Sequence, residues 1–584
     1  MKKWGIKAGW VLVWMAAWML FAAPTITKRA IEKEDVDLSQ TDGGAPEYVN
    51  APTSTGRTMR VQKPHGGMFP WTNEYNRTIR PGDIITKGPW VDVRAYSTLA
   101  LALTAAANKT LLVASTVTIS DNTTIPDNVA VLILRGGSFA VAPGKKLTIN
   151  GPFDAGLHQV FSGSGTVQFG VGFVKDIYPQ WWGALADGAH DDTSAIQSAI
   201  DSTKALTITT RVNNSTTLHN KVRLVTGDYF FSTLTIDHPV KISGDGMNAT
   251  FLHTTSTGTY IISVTTSDPV EFSDLFLGTA WGVTQSASEY INFTPSDNIV
   301  NKFSRIHRVS FNDSVIAVRM SANEFASIED CIFNVYSGKA IIVENTITPD
   351  AGDVQIKGNS FINGTGVGIG HRSSGGLRIT DNKFSGGSYH YLGEYNTVVN
   401  QTGILLIEGN SFDTANSGNI VFNTDNTIHT QVTINSNHIT VKSGTVGIYS
   451  VAKGYDFLYG FSVGGNTITV NDNATAMTLH GIVDGSIYPN HIWGQTGTTT
   501  GVDFGSSTGP ITVHLQTMQN IDTEYVNSTA AETFIRDTGS YQTNAGDPNN
   551  AKTPRYVGDT CLDTTNGKWY KSINTAGNGW VALN

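Results

Sequence analysis

Ile356-Lys-Gly-Asn359-Ser-Phe361, Ile379-Thr-Asp-Asn382-Lys-Phe384, Ile407-Glu-Gly-Asn410-Ser-Phe412, Ile434-Asn-Ser-Asn437-His-Ile439 and Val463-Gly-Gly-Asn466-Thr-Ile468 share one grammar. It reads Ile or Val, two residues, Asn, one residue, then Phe or Ile. The asparagines are 23, 28, 27 and 29 residues apart, and two looser copies, Ile306 to Phe311 and Ile328 to Phe333, come first. A repeat of this period is a solenoid, a scaffold whose chemistry sits on its surface.

In each strict copy another apolar residue stands two before the Ile or Val: Val354, Leu377, Leu405, Val432 and Phe461. Alternation with period two is a strand with one buried face. The odd separation from Ile to Phe breaks that period, so the chain must bend for both to face inward. Asn suits a bend because it tolerates the left-handed conformation, and stacked Asn side chains can satisfy one another. The expected fold is all-β, a right-handed parallel β-helix with coils of strand, Asn bend, strand and longer loop. The absence of 3.6-residue periodicity and the abundance of Gly, Thr, Asn and Ser disfavour a helical solenoid. The five asparagines read as structural.

The bulk numbers agree. Of 584 residues 40% are hydrophobic, enough for a continuous core, while 15% charged and 60 Gly suit strands and turns. A net charge of -9 without a basic run argues against nucleic acid as partner. Cys331 and Cys561 are 230 residues apart, which excludes a disulfide framework and a clustered-thiolate zinc site. No cofactor or metal is expected; a Ca ion on oxygen ligands is compatible with the composition, but no motif points to one.

Met1-Lys2-Lys3 followed by an apolar run from Ala8 to Ala23 reads as an export signal over 1–23, with an uncleaved anchor as the alternative. After cleavage no membrane contact is expected, and the location is extracellular or cell-surface. Residues 24–90 read as a linker, rich in Pro, Gly, Thr and charge. Within 91–175, Tyr96 to Ala107 predicts a short helix, and alternating stretches from Leu111 to Phe173 predict a strand-rich unit or early coils. The main β-helix is expected over 176–520, a connector over 521–545 and a small β module over 546–584. In that module Asn566-Gly567 marks a hairpin turn, and Trp569, Tyr570 and Trp580 suit a small core or a sugar platform.

Trp181-Trp182 opens a block that ends Asp187-Gly-Ala-His190-Asp191-Asp192-Thr193, with apolar spacing from Thr193 to Ile200. Asp191 or Asp192 caps a helix that covers the end of a β-helix, and capping explains these aspartates better than catalysis. Tyr178-Pro-Gln-Trp-Trp-Gly-Ala followed by Asp-Gly and Asp-Asp-Thr-x-Ala-Ile-Gln resembles the start signature of the pectate lyase superfamily. That group contains secreted polysaccharide-degrading enzymes and phage tailspike depolymerases. The resemblance implies the β-helix over about 90–520 and a polysaccharide partner. It also implies a homotrimer for tailspike-like members.

Stacked coils turn equivalent positions into columns about 4.8 Å apart. Glu329 and Lys357 are then expected to pair across coils. Glycoside hydrolysis needs carboxyls about 5 to 9.5 Å apart. Glu329 and Glu408, three coils apart at roughly 14 Å, fail this test. Asp381 and Glu408, on adjacent coils, meet it, with Arg378 and Lys383 beside them. A second cluster joins strand ends: Arg319, Glu344 and His371-Arg372, where a cation, an acid and an imidazole would serve a hydrolase or a lyase. Tyr389, Tyr391, Glu394 and Tyr395 form its expected rim. The candidate catalytic residues are thus Asp381, Glu408, Glu344 and His371. The candidate binding residues are Arg319, Arg372, Arg378, Lys383, Tyr389, Tyr391, Glu394 and Tyr395. Gly370-His371 and Arg378-Ile379 are similar to the Gly-His-Gly and Arg-Ile-Lys elements of polygalacturonases, but the third residue of each differs and the paired aspartates are not upstream, so that activity is not expected. The sequence points to a secreted β-helix protein that binds, and as a lyase or glycoside hydrolase cleaves, a polysaccharide. A non-catalytic adhesin or appendage and a phage tailspike are the alternatives.

Overall fold

Alternating strands around an odd-length bend can bury both apolar sets only by coiling, and the computed structural model is such a coil. It describes residues 48–52, 58–62, 89–170, 174–204, 221–254, 260–279, 289–294, 300–321, 323–345, 352–373, 375–394, 401–423, 428–451, 457–495, 497–504, 511–514, 516–526, 533–535, 542–545, 547–553, 560–566, 568–572 and 578–583. The expected export signal and most of the expected linker lie outside these residues. The chain divides into two compact units, Met1–Lys87 and Gly88–Asn584. Of the first, an antiparallel hairpin is described, Tyr48–Pro52 against Thr58–Gln62.

In the second unit each coil contributes strands to three faces. The first face stacks Val354–Lys357, Leu377–Thr380, Leu405–Glu408 and Val432–Asn435 in parallel. The second stacks Lys383–Gly386, Ser411–Phe412 and His438–Val441. The third stacks Lys339 to Glu344 with Val367–Arg372, Tyr389–Glu394, Gly418–Asn423 and Val446–Ser450. Parallel crossovers of this kind are right-handed. Ile356, Ile379, Ile407, Ile434 and Val463 of the grammar are fully buried. So are Phe361, Phe384 and Phe412, which continue from Phe311 and Phe333 as a stack of near-parallel rings 4.4 to 5.0 Å apart.

The asparagines form a buried ladder. Asn382 shows the pattern: its Oδ1 accepts from the backbone N–H and the Nδ2 of Asn359, both at 2.9 Å. Its own Nδ2 donates back to the Ile356 carbonyl and forward to Asn410 Oδ1. Every donor and acceptor is met by the coil before or after, as a buried amide requires. The left-handed residue is not the Asn but the one before it: Asp330, Gly358, Asp381, Gly409, Ser436 and Gly465 have φ between 53° and 68°. This frees the Asn backbone to join the ladder. At the N-terminal end Cys331 stands in the Asn position and donates its backbone N–H to Asn359 Oδ1; burial pushes its thiol up to about 12. The ladder also runs past Ile468. Ile487-Tyr-Pro-Asn490-His-Ile492 is a further strict copy, and Gln516 ends the run by accepting from Asn490.

The stretches from Thr110 to Phe169 are coils, stacked in three short parallel sheets. The expected helix of 96–107 is Leu99–Ala105, capped by Thr98. Helix Thr193–Asp201 takes a strand's place at the start of the long stack. Ser202 accepts from the Phe169 N–H on one side, and the Gln197 amide both donates to and accepts from the Thr235 backbone on the other. Asp192 accepts from the N–H groups of Leu185 and Ala186, and Asp191 from that of Thr193. Asp187 is held down to about 2 by the backbone N–H groups of His190 and Ala189. All three carboxylates are therefore structural.

At the C-terminus Gln542–Asn544, Thr560–Asp563, Trp569–Ser572 and Trp580–Leu583 form a four-stranded sheet. Its core is Cys561, Tyr570 and Trp580, whereas Trp569 is exposed. The chain reverses between Leu562 and Trp569, with Asp563 Oδ1 accepting from Thr565 and Asn566; Gly567 lies outside the described residues.

Asn410→Ala removes five such bonds at a buried site, so it should cost roughly 2–4 kcal/mol in urea unfolding. A loss below about 0.5 kcal/mol would mean that the ladder is not an energetic element.

Candidate functional site

The carboxylates of the expected pair Asp381 and Glu408 make no direct hydrogen bond, and neither shares a cation with the other among the described residues. Asp381 is the left-handed bend residue, with φ 58°. Its backbone N–H donates to the Glu408 carbonyl, and its carboxylate, 62% exposed, is 3.9 Å from Lys357 Nζ. The bend lays Asp381 Oδ1 over Gly409 of the next coil, where an added Cβ would lie 2.9 Å away. Arg378 and Lys383 lie on different faces, the first and the second. The expected pair of Glu329 and Lys357 does not form either. Glu329 is taken by Arg305, and Lys357 extends the other way, toward Asp381.

The third face does gather charge. Its strands alternate, so Ile341, Ile369, Tyr391 and Ile420 point inward while Arg319, Gly370 and Leu392 point out. Arg319 grips Glu289 with Nε and Nη2 at 2.7 and 2.5 Å and reaches Glu344 with Nη1 at 2.5 Å. Arg372 grips the other Glu344 oxygen, its Nε at 2.6 Å, and Ser321 completes the first. Glu344 is thus nearly buried with both oxygens engaged. Burial alone would raise its carboxyl, but Arg319 and Arg372 outweigh that and hold it below the ordinary range. A group so held is a poor proton donor.

One coil beyond Arg372 stands Glu394. Its Oε1 is 3.0 Å from Lys339 Nζ, while Oε2 is shielded from water and has no hydrogen-bond partner among the described residues. Lys339 reaches Glu394 diagonally across two coils, over Gly370. A Cβ on Gly370 would lie 2.8 Å from Lys339 Cδ and 3.1 Å from Glu394 Oε2, so the bare glycine makes the crossing possible. Neither Lys339 nor Gly370 stood among the sequence candidates. Strand alignment puts them on this face, but a contact that skips a coil leaves no mark in any single repeat. Next to it Tyr389 packs with Val367, Leu392, Val421, Tyr449 and Val451 in an apolar patch outside the main core.

Two expected site residues belong to the interior. His371 follows Ile369 by two and so points inward. It is fully buried, with Nδ1 3.0 Å from Tyr391 Oη, and burial pushes it down to about 4. Tyr391 is likewise fully buried and offers no rim. Tyr395 lies outside the described residues. No cluster of three metal-ligating side chains occurs among the described residues, and none of their helices is long and apolar enough to cross a membrane.

Residues 180–418 match the family described as Rhamnogalacturonase A/epimerase, pectate lyase-like. That segment contains the whole charged strip from Glu289 to Glu394, and its fold is a pectate lyase-like parallel β-helix. No curated protein matches the chain. Among solved structures it is similar to DFA-IIIase from Arthrobacter chlorophenolicus A6 in complex with DFA-III, at 15% identity and TM-score 0.40, over 61% of this chain and 86% of that one. It is also similar to the A-module of the mannuronan C-5 epimerase AlgE4 from Azotobacter vinelandii, at 15% identity and TM-score 0.37, over 62% and 99%.

Burial also pushes His390 down to about 4, and burial with the nearby His371 pushes His429 down to about 3. The unfolded chain binds these protons near 6.5, whereas the folded chain refuses them until about 4. Stability is therefore full above pH 6.5 and falls as pH drops toward 4, by roughly 2–3 kcal/mol per imidazole. Thermal unfolding midpoints across this range should show the slope, and His371→Gln with His429→Gln should lessen it, leaving the share of His390. A midpoint independent of pH from 7 to 4.5 would contradict the buried, neutral assignment.

Proposed function

We propose that this chain is an exported carbohydrate-active protein that binds an acidic polysaccharide along the outer third face and cleaves it as a lyase. The observation that carries this reading is Glu394: a carboxylate anchored at one oxygen by Lys339, shielded but without a hydrogen-bond partner at the other among the described residues, and one coil from the Arg372 guanidinium. Hydrolysis with two working carboxyls fits less well, because Glu344 on the same strip has both oxygens occupied. Elimination needs one available base and a cation.

In this scheme Arg372 faces the uronate carboxylate and stabilises the negative charge that grows there. Glu394 takes the proton from the adjacent ring carbon. The electron pair left behind becomes a carbon–carbon double bond as the neighbouring bond to the bridging oxygen breaks, and that oxygen takes a proton from water. Tyr389 and the apolar patch beside it would bound the sugar chain. The match of residues 180–418 to a family named for polysaccharide-modifying enzymes supports the substrate class.

Purified protein incubated with a panel of acidic polysaccharides should yield new reducing ends together with the absorbance of an unsaturated uronate. Reducing ends without that absorbance would favour hydrolysis. Neither signal on any substrate would favour the non-catalytic adhesin. In the active case Glu394→Gln should lower kcat by about 10²–10⁴-fold. Gly370→Ala, which drives a methyl group between Lys339 and Glu394, should lower it as well. Normal turnover in both variants would remove Glu394 from the reaction.

A further inference from the structure

The bend that leads into the first face is also left-handed, and its column reads Phe303, Phe325, Asp353, Gly376, Ile404, Gln431 and Gly460. Asp353, Gln431 and Gly460 adopt positive φ there, and so do Phe303 at 61° and Phe325 at 55°. For a bulky aromatic residue this backbone is strained, and strain that persists marks a position held for a reason. Burial is not that reason, because the two rings are 46% and 47% exposed. They lie face to face, 5.3 Å apart with planes 15° from parallel, and so present one broad aromatic surface to solvent. Stacking on each other recovers part of the strain but does not explain why an aromatic replaces the Asp, Gln or Gly that other coils use.

Phe325 opens onto a groove of about 730 Å³ that runs on over the following coils, with Ser327, Asp353, Gln355 and Arg378 along it. This volume is in the range of small-ligand sites. Ser327, Gln355 and Arg378 are register partners on successive coils, so a hydroxyl, an amide and a guanidinium line up along one ridge. Arg378 makes no ion pair and Asp353 no hydrogen bond among the described residues. In the same groove Arg305 is neutralised by Glu329, which leaves Arg378 and Asp353 as its unpaired cation and carboxylate among the described residues.

We propose that this groove and the Phe303–Phe325 surface are a second saccharide-binding site, on the first face, separate from the charged strip of the third. An apolar sugar-ring face would lie on the two phenyl rings, and the ring hydroxyls of the next residues would meet Gln355, Asp353 and Ser327. With Asp353 turned to a ring hydroxyl, Arg378 one coil on would pair with a carboxylate borne by the chain. The site holds a polysaccharide without cleaving it, so that a long chain is retained while another part of it occupies the third face.

The test is affinity electrophoresis of the full chain in gels containing polygalacturonate, with dextran as the neutral control. The native protein should be retarded by polygalacturonate more than by dextran. Phe303→Asn with Phe325→Asn should weaken retardation by about tenfold. Because Asn tolerates the left-handed backbone, the same double variant should unfold at an unchanged or higher temperature, which separates lost binding from lost folding. Glu394→Gln should be retarded like the native protein whether or not it cleaves, so a failure of the lyase reading leaves this result intact. Equal retardation of the native protein and the Phe303→Asn, Phe325→Asn variant would overturn the proposal, and so would no retardation of the native protein by polygalacturonate.

Discussion

One buried hydrogen bond recurs along the β-helix and sets everything else: the side-chain oxygen of each ladder Asn accepts from the backbone and amide of the Asn one coil below. A buried amide with a missing partner costs about 1–3 kcal/mol, so a one-residue slip of any coil would be penalised at the bend as well as in the core. The ladder thereby fixes register with polar specificity, while the stacked Phe rings and the Ile column supply apolar burial that would tolerate small shifts. Cys331 and Gln516 show the two ways the run ends: one residue still lends its backbone donor, the other still supplies a carbonyl oxygen.

Fixed register is what turns distant residues into neighbours. On the third face it sets Glu289, Arg319, Glu344 and Arg372 in alternating charge, so each carboxylate meets a cation at the cost of its own availability. The strip ends at Glu394, which has one cation on one oxygen and, among the described residues, no hydrogen-bond partner on the other. The same regularity that neutralises the strip thus leaves its last acid with one unpaired oxygen. A fully paired carboxylate and a half-paired one differ here by a single coil, which is why the count of charges on the face says less than their sequence along it.

The sequence states the coil grammar openly, because Ile, Asn and Phe are fixed by burial and burial leaves little choice of residue. Pattern reading stopped one copy early, at Ile468, although Ile487 to Ile492 obeys the same rule. It also gave the left-handed backbone to the Asn, whereas the preceding Asp, Gly or Ser adopts it. The site was legible only in part. Arg319, Glu344 and Arg372 were gathered by aligning strands. His371 was not, since its place two after Ile369 sends it inward. The Lys339 to Glu394 contact skips a coil, and intervening loops of unequal length hide such diagonals from any comparison of adjacent repeats. Asp381 illustrates a different point: a carboxylate at a suitable spacing also serves as the left-handed bend residue, which spacing alone does not reveal.

Register is therefore the central claim, and cysteine cross-linking reads it directly. Thr433 and Ser462 are register partners on adjacent coils of the first face. Their expected Cα separation of about 4.8 Å lies within disulfide range. The native Cys331 and Cys561 are buried and do not compete. Under mild oxidation Thr433→Cys with Ser462→Cys should close a disulfide nearly completely. Thr433→Cys with Gly464→Cys, displaced two residues along the strand, should remain reduced. Closure of the displaced pair in preference to the aligned one would contradict the register, and with it the assembly of both faces.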